Sequence, residues 1–164
     1  MKRIWWLLLL TVLLCGCSAE RVAETVCDEL LLSAAAPQKE LSVKLPKHAT
    51  QSVLASEDGG QLYFCDDYIL TVQTCVSGDL DRTARELCGY GSDRLTVMET
   101  KLGGVKRYEW TWTGMGESGA QVGRAAVLDD GDYHYCVTVM ADEAAAGSLD
   151  AQWDALFASM GLKY

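Results

Sequence analysis

The chain has 164 residues, 49% of them hydrophobic and 23% charged, with a formal net charge of −9. That length supports one domain with a core of its own. The acidic balance argues against nucleic acid as a partner and against flat binding to anionic lipid, and with only two prolines no long disordered stalk is expected.

The first element is a greasy run behind two positive charges. Lys2 and Arg3 precede Ile4 to Leu14, an apolar stretch of 11 residues. A membrane-spanning helix needs about 20 apolar residues, so this run is too short to span and fits the apolar core of a secretory signal. It ends in Leu14-Cys15-Gly16-Cys17, which resembles the lipobox of bacterial lipoproteins: an aliphatic residue, a small residue, Gly or Ala, then Cys. Cys15 is an unusual but small occupant of the second position. The resemblance implies cleavage after Gly16 and a diacylglyceryl thioether on Cys17, with palmitate-type chains. One acyl chain binds a membrane only marginally and two hold it stably. The membrane is then a partner through Cys17, and the protein sits on the extracytoplasmic face of a bacterial membrane. Ser18 is not Asp, so nothing suggests inner-membrane retention if the cell has two membranes. The plainer alternative is an ordinary signal peptide cut nearby. Losing residues 1–16 removes Lys2, Arg3 and no acid, leaving 148 residues and a charge of −11. The expected organisation is a signal peptide at 1–16, a lipid-anchored helical spacer at 17–37 and a single α+β domain at 38–164.

Residues 18–36 have helical spacing, with Val22, Val26 and Leu30 on one side, and Pro37 stops the helix. Strand signals follow: "LSVKL" from Leu41, "TQSVLAS" leading into the "EDGG" turn, then "QLYFC" and "YILTVQTCV" flanking a two-residue turn at Asp66-Asp67. "DLDRTARELCG" reads as a helix capped by Asp79 and stopped by Gly89. Four more strands, "RLTVMET", "VKRYEWTWT", "QVGRAAVL" and "YHYCVTVM", are joined by "KLGG", "GMGESGA" and "DDGD". A final helix is expected from Ser148, with Leu149, Trp153, Leu156, Phe157 and Met160 as one stripe closed by Gly161. The order α-ββββ-α-ββββ-α predicts an α+β fold, an antiparallel sheet of two meanders covered by helices. One greasy and one polar sheet face are expected.

Three segments carry a fold-family resemblance: "LSVKLP", the "GDLDRTARELCGY" helix between the meanders, and the closing helix with Trp153 followed by Ser159. Together they resemble the PsbP-like α/β/α sandwich over residues 41–164. The resemblance implies an accessory or binding subunit and carries no catalytic residues.

Candidate chemistry is sparse. On a strand, Asp132, His134 and Cys136 would share a face about 7 Å apart, which allows a metal site with a third ligand from elsewhere. The plainer alternative puts Asp132 in the turn. Cys136 and His134 are poorly placed as a nucleophile pair, because neighbours on one strand seldom bring sulfur and imidazole together. "LDDGDY" is too compact for a calcium loop, and "GMGESGA" lacks the Lys and Ser/Thr of a phosphate loop. Tyr108, Trp110 and Trp112 alternate with Arg107 and Glu109, either as core beneath a helix or as an aromatic platform. Arg107 and Glu109, with Arg124 and His134 on the following strands, are the candidate binding residues, forming either a solvated or helix-covered face or a recess for a polar ligand. Beyond the lipid site, Cys27, Cys65, Cys75, Cys88 and Cys136 are an odd set. With a turn at 66–67, Cys65 and Cys75 lie about 20 Å apart along the ladder, too far for a disulfide.

The sequence therefore reads as a lipid-anchored extracytoplasmic accessory or binding module, without catalysis or cofactor and with no nucleic-acid partner, its protein or small-molecule partner open. The alternative is a small metal-binding protein or metal-dependent enzyme using Asp132, His134 and Cys136. A spacer without ligand is the third reading.

Overall fold

The computed structural model describes residues 39–53, 60–117 and 119–163. The expected helix at 18–36, Cys17, Cys27 and the "EDGG" turn lie outside the described residues. The described elements run β1 (Glu40–Ser42), β2 (Thr50–Gln51), β3 (Gln61–Phe64), β4 (Ile69–Val76), α1 (Leu80–Cys88), β5 (Met98–Leu102), β6 (Val105–Gly116), β7 (Gly119–Asp129), β8 (Tyr133–Asp142), α2 (Glu143–Ala158) and β9 (Gly161–Lys163). The fold is α+β and its strand pairs are antiparallel. A seven-stranded sheet has the order β2-β3-β4-β8-β7-β6-β5, and β1 and β9 form a separate pair.

Local chemistry sets most boundaries. Asp79 caps α1, its carboxylate accepting the Asp81 amide at 2.9 Å. Gly89 closes the helix at φ +79°, a left-handed position that costs glycine little. At Asp66-Asp67, the Cys65 amide donates to the Tyr68 carbonyl at 2.9 Å. This sets Phe64 opposite Ile69 in the β3–β4 register.

Four expectations need correction. The strand expected from Arg94 begins at Met98, because Ser92–Arg94 forms a 3₁₀ turn. Asp81 Oδ1 holds that turn by accepting the Ser92 amide and hydroxyl at 2.8 and 3.0 Å. The last helix starts at Glu143 rather than at Ser148. Glu143 and Ala144–Ala146 are strong helix formers with an acid in the first turn, and the Ser148 hydroxyl donates back to the Ala145 carbonyl at 2.7 Å. The "LSVKL" strand does not join the first meander. Its Leu41 pairs with Leu162 of β9, a strand the sequence reading lacked. The α2 end locks this arrangement, with Ser159 Oγ accepting the Lys44 amide at 2.9 Å while donating to the Leu156 carbonyl at 2.6 Å.

The fourth correction concerns the faces. No side of the sheet is uniformly greasy. Across β6, β7 and β8 the register aligns Tyr108 with Val127 and Cys136, and Arg107 with Leu128 and Tyr135. The aromatic side of β6 and the aliphatic side of β8 therefore face opposite ways. Tyr108, Trp110, Ala125, Val127 and Cys136 pack with Ala84 of α1. Leu70, Ala126, Leu128, Tyr135, Val137 and Val139 pack with Leu149, Trp153, Leu156 and Phe157 of α2. Strand β7 serves both cores, so Ala125–Leu128 is buried without alternation.

Trp153 is 2% exposed and meets Tyr68 edge-on, the ring centroids 6.0 Å apart. Trp153→Ala should cost about 3–5 kcal/mol, the range for a large buried aromatic. A urea melt checks this. A loss under about 1 kcal/mol, the scale of a surface change, would make α2 peripheral to the core.

Candidate functional site

Three of the four candidate binding residues come together, on the α2 face. Glu109 Oε1 accepts from Arg107 Nε at 2.7 Å, and Glu109 Oε2 from Arg124 Nη2 at 3.0 Å. Arg124 Nη1 also reaches Asp154 of α2 at 2.5 Å, and its guanidinium lies 4.9 Å from the centre of the Phe157 ring. Arg107 Nη2 donates to the Phe157 carbonyl at 2.9 Å, near the end of α2. Burial alone would raise the Glu109 carboxyl, but the two guanidinium groups overcome it and hold the pKa below its usual value. The donors are taken up by the network and the helix lies over it. It works as a polar clasp between β6, β7 and α2.

His134 does not belong to this group. It lies on the opposite face, level with Asp129 and Cys75. It is 2% exposed, with Nδ1 2.8 Å from the Thr83 hydroxyl of α1. The proposed metal set also fails to assemble. Asp132 is an exposed residue of the turn before β8, whereas His134 and Cys136 are buried in the strand. Among the described residues no three of His, Cys, Asp or Glu converge on a metal geometry. In the "LDDGDY" turn the acids are satisfied from within. Asp129 accepts the Gly131 amide, Asp130 accepts the Asp132 and Tyr133 amides, and Lys39 reaches Asp130 at 3.0 Å. Tyr108 and Trp110 are core residues under α1. Trp112 is partly exposed and packs over Gly123, where an added Cβ would collide with the indole.

A hollow with an apolar floor lies elsewhere, where the segment after β1 crosses the β3–β4 turn and α2. It has a volume of about 390 Å³. Leu45, Tyr68, Leu149 and Leu156 give it an apolar floor, and Lys44, Lys47, His48, Asp66 and Asp67 surround its mouth. Tyr68 is 6% exposed, and its buried hydroxyl has no oxygen or nitrogen partner among the described residues. It lies beside the Cys65 thiol, and burial, reinforced by that thiol, pushes its pKa up. A buried hydroxyl without a good acceptor costs about 1–3 kcal/mol, and it is the group that a ligand acceptor would satisfy. The sequence pointed to none of these residues. They come from three segments distant in sequence: the stretch after β1, the β3–β4 turn and α2.

No family model matches the sequence, and no curated protein matches it. The fold is similar to that of LpqN, a Mycobacterium tuberculosis protein involved in cell envelope biogenesis. The TM-score is 0.50 at 10% identity, covering 80% of this chain and 88% of that one. At that identity the likeness is one of fold and assigns no residue a role.

The clasp yields a signed pH prediction. A depressed carboxyl contributes stability that is complete above its unfolded value of about 4.3 and is lost as pH falls through the folded value. Glu109→Gln should cost about 1.5–3 kcal/mol at pH 7, the range for hydrogen bonds to a charged group. The gap from wild type should narrow below about pH 4 in parallel urea melts. A gap that stays constant with pH would show that the charge of Glu109 contributes nothing.

Proposed function

We propose that the protein is a lipid-anchored extracytoplasmic accessory or binding module without catalysis, and that the Tyr68 hollow is its ligand site. The observation that carries the binding role is the buried Tyr68 hydroxyl on an apolar floor, which has the Cys65 thiol beside it and no oxygen or nitrogen partner among the described residues. Apolar hollows with a few placed polar groups are the usual form of a small-molecule site. The mouth carries both signs of charge, so it favours a ligand with an apolar body and a polar, uncharged or zwitterionic head over a simple ion.

The location rests on Lys2-Arg3, the apolar run and Leu14-Cys15-Gly16-Cys17. Among the described residues no helix is long and apolar enough to cross a membrane. The fold likeness to an envelope-biogenesis protein supports the same placement. The PsbP-like resemblance, whose members are mostly accessory or binding subunits, points the same way. Attachment is through diacylglycerol on Cys17, with the partner a small molecule or a protein presenting one.

Two measurements test this reading. Mass spectrometry of the detergent-extracted protein should find a mature chain beginning at Cys17 with added lipid mass, and Cys17→Ala should leave uncut precursor. A mature chain starting elsewhere without lipid would end the anchor reading. For the hollow, a photoreactive decyl probe with an uncharged head should crosslink near Tyr68 or Leu156 in membranes carrying the full chain. Ala155 is exposed at the rim, so Ala155→Trp fills the hollow without disturbing the core. Labelling should fall about tenfold, equivalent to about 1.4 kcal/mol of binding. Unchanged labelling would rule out the hollow as the site.

A further inference from the structure

The α1 face holds a second polar cluster, unconnected with the hollow. Strands β4 and β8 set Cys75 directly opposite His134, and Cys136 opposite Gln73. Cys75 and Cys136 are thus diagonal neighbours on one face of the sheet. Thr83 of α1 sits over them, its hydroxyl 4.0 Å from the Cys75 sulfur and 2.8 Å from His134 Nδ1. The same hydroxyl lies 3.4 Å from the Asp79 carbonyl, to which it can donate. On the far side of the imidazole, His134 Nε2 is 3.9 Å from Asp129 Oδ2. Asp129 is held in place by the Ser77 hydroxyl at 3.1 Å and the Gly131 amide at 2.8 Å. The result is a line of polar groups, Asp129, His134, Thr83, Cys75, with Cys136 fully buried beside its end. Cys65, Cys75, Cys88 and Cys136 are all free thiols, and Cys75 is only half-buried.

We infer that Cys75 is a nucleophilic thiol–disulfide exchange site, activated by Cys136, His134 and Thr83, and that its partners are small disulfides.

Each neighbour has a distinct part. Cys136, the diagonal neighbour on the same face, is the first cause that stabilises negative charge on the Cys75 sulfur, and His134 and Thr83 add to it. Together they overcome burial and bring the Cys75 thiol down to about 5. Cys136 is pushed the other way, first by its bond to Cys75 and then by burial. It stays protonated and acts as a donor, a positioning residue rather than the nucleophile. The charged and titratable groups around the pair are Asp129 on β7, His134 on β8 and Glu86 on α1, with Lys106 of β6 level with Asp129.

The step balances without a metal or cofactor. The Cys75 thiolate attacks one sulfur of a disulfide RSSR and the S–S bond breaks. A Cys75–S–S–R mixed disulfide forms, and RS⁻ departs to take a proton from water. The sulfur of Cys75 is oxidised and that of the departing thiol is reduced. A low-pKa thiol is also a good leaving group, so the adduct is readily reversed by a second thiol.

At pH 8 the site has little kinetic advantage, because a low-pKa thiolate is intrinsically less nucleophilic. The advantage lies in acid, where ordinary thiols are protonated. The test uses the intact protein and 2-hydroxyethyl disulfide, which has no titratable group, with adducts located by peptide mass spectrometry. Between pH 8 and pH 6 the rate at Cys75 should change less than about twofold, while Cys65, whose thiol burial pushes up, slows by roughly 50- to 100-fold. Cys136→Ala should give Cys75 an ordinary steep profile, and Cys136→Ser, which keeps a donor, should restore the flat one. A Cys75 profile in the wild-type protein that parallels that of Cys65 would overturn the proposal. So would a flat profile that survives Cys136→Ala.

Discussion

The register on either side of β7 is the constraint from which the rest of the structure follows. It carries the Tyr108 side of β6 across to Cys136, and the Arg107 side across to Tyr135. The strongest apolar sides of β6 and β8 must then face opposite layers, and only a strand apolar on both sides can stand between them. Ala125-Ala126-Val127-Leu128 is that strand segment, with two small and two larger side chains serving two cores. A slip of one residue along β7 would reverse its faces and place charged groups where helices now pack. The register is held by burial on both sides rather than on one.

The same parity explains where the polar residues lie. Under α2 the apolar side chains come from β8 and β4, leaving the β6–β7 corner to Arg107, Glu109 and Arg124. Under α1 the bulk comes from β6, leaving the β4–β8 corner to Cys75, His134 and Thr138. The two clusters lie on opposite faces at the same level, one over β6 and β7 and the other over β4 and β8. Each is partly shielded by a helix that contributes to it, Asp154 and the Phe157 carbonyl on one side and Thr83 on the other. One of them fastens layers together. The other surrounds the half-buried Cys75 with polar groups.

Much of this was legible locally and little of it globally. Helix α1 could be read to the residue from Asp79 and Gly89, because capping is decided within one turn of chain. The strand pairs β5 through β8 followed from short turns and alternation. The joint grouping of Arg107, Glu109 and Arg124 also followed, since the two hairpin partners are close in sequence. The face of His134 did not, because alternation within a strand fixes which residues are opposed but not which layer each side meets. The start of α2 was missed because Ser148 looked like a cap and Ala144–Ala146 gave no boundary signal. The three-residue β9 is too short to show a period, and the Tyr68 hollow joins segments far apart in sequence. The expectations for Cys17, Cys27 and the 18–36 helix fall outside the described residues.

The pairing of β4 with β8 has a consequence for the order in which the chain becomes stable. Ile69 pairs with Met140, and Glu40 with Lys163, so both joins wait for residues made long after their partners. A chain delivered N-terminus first presents β2–β4 as a small sheet with one ladder edge open and no α2 above it, an arrangement too slight to persist. Only when β8 emerges do the two sheet segments join, and β1 closes against β9 last. Such a topology keeps the nascent chain loose until β8 and β9 have emerged, which favours threading through a narrow channel before folding. It also leaves the β4 edge in need of protection throughout that interval.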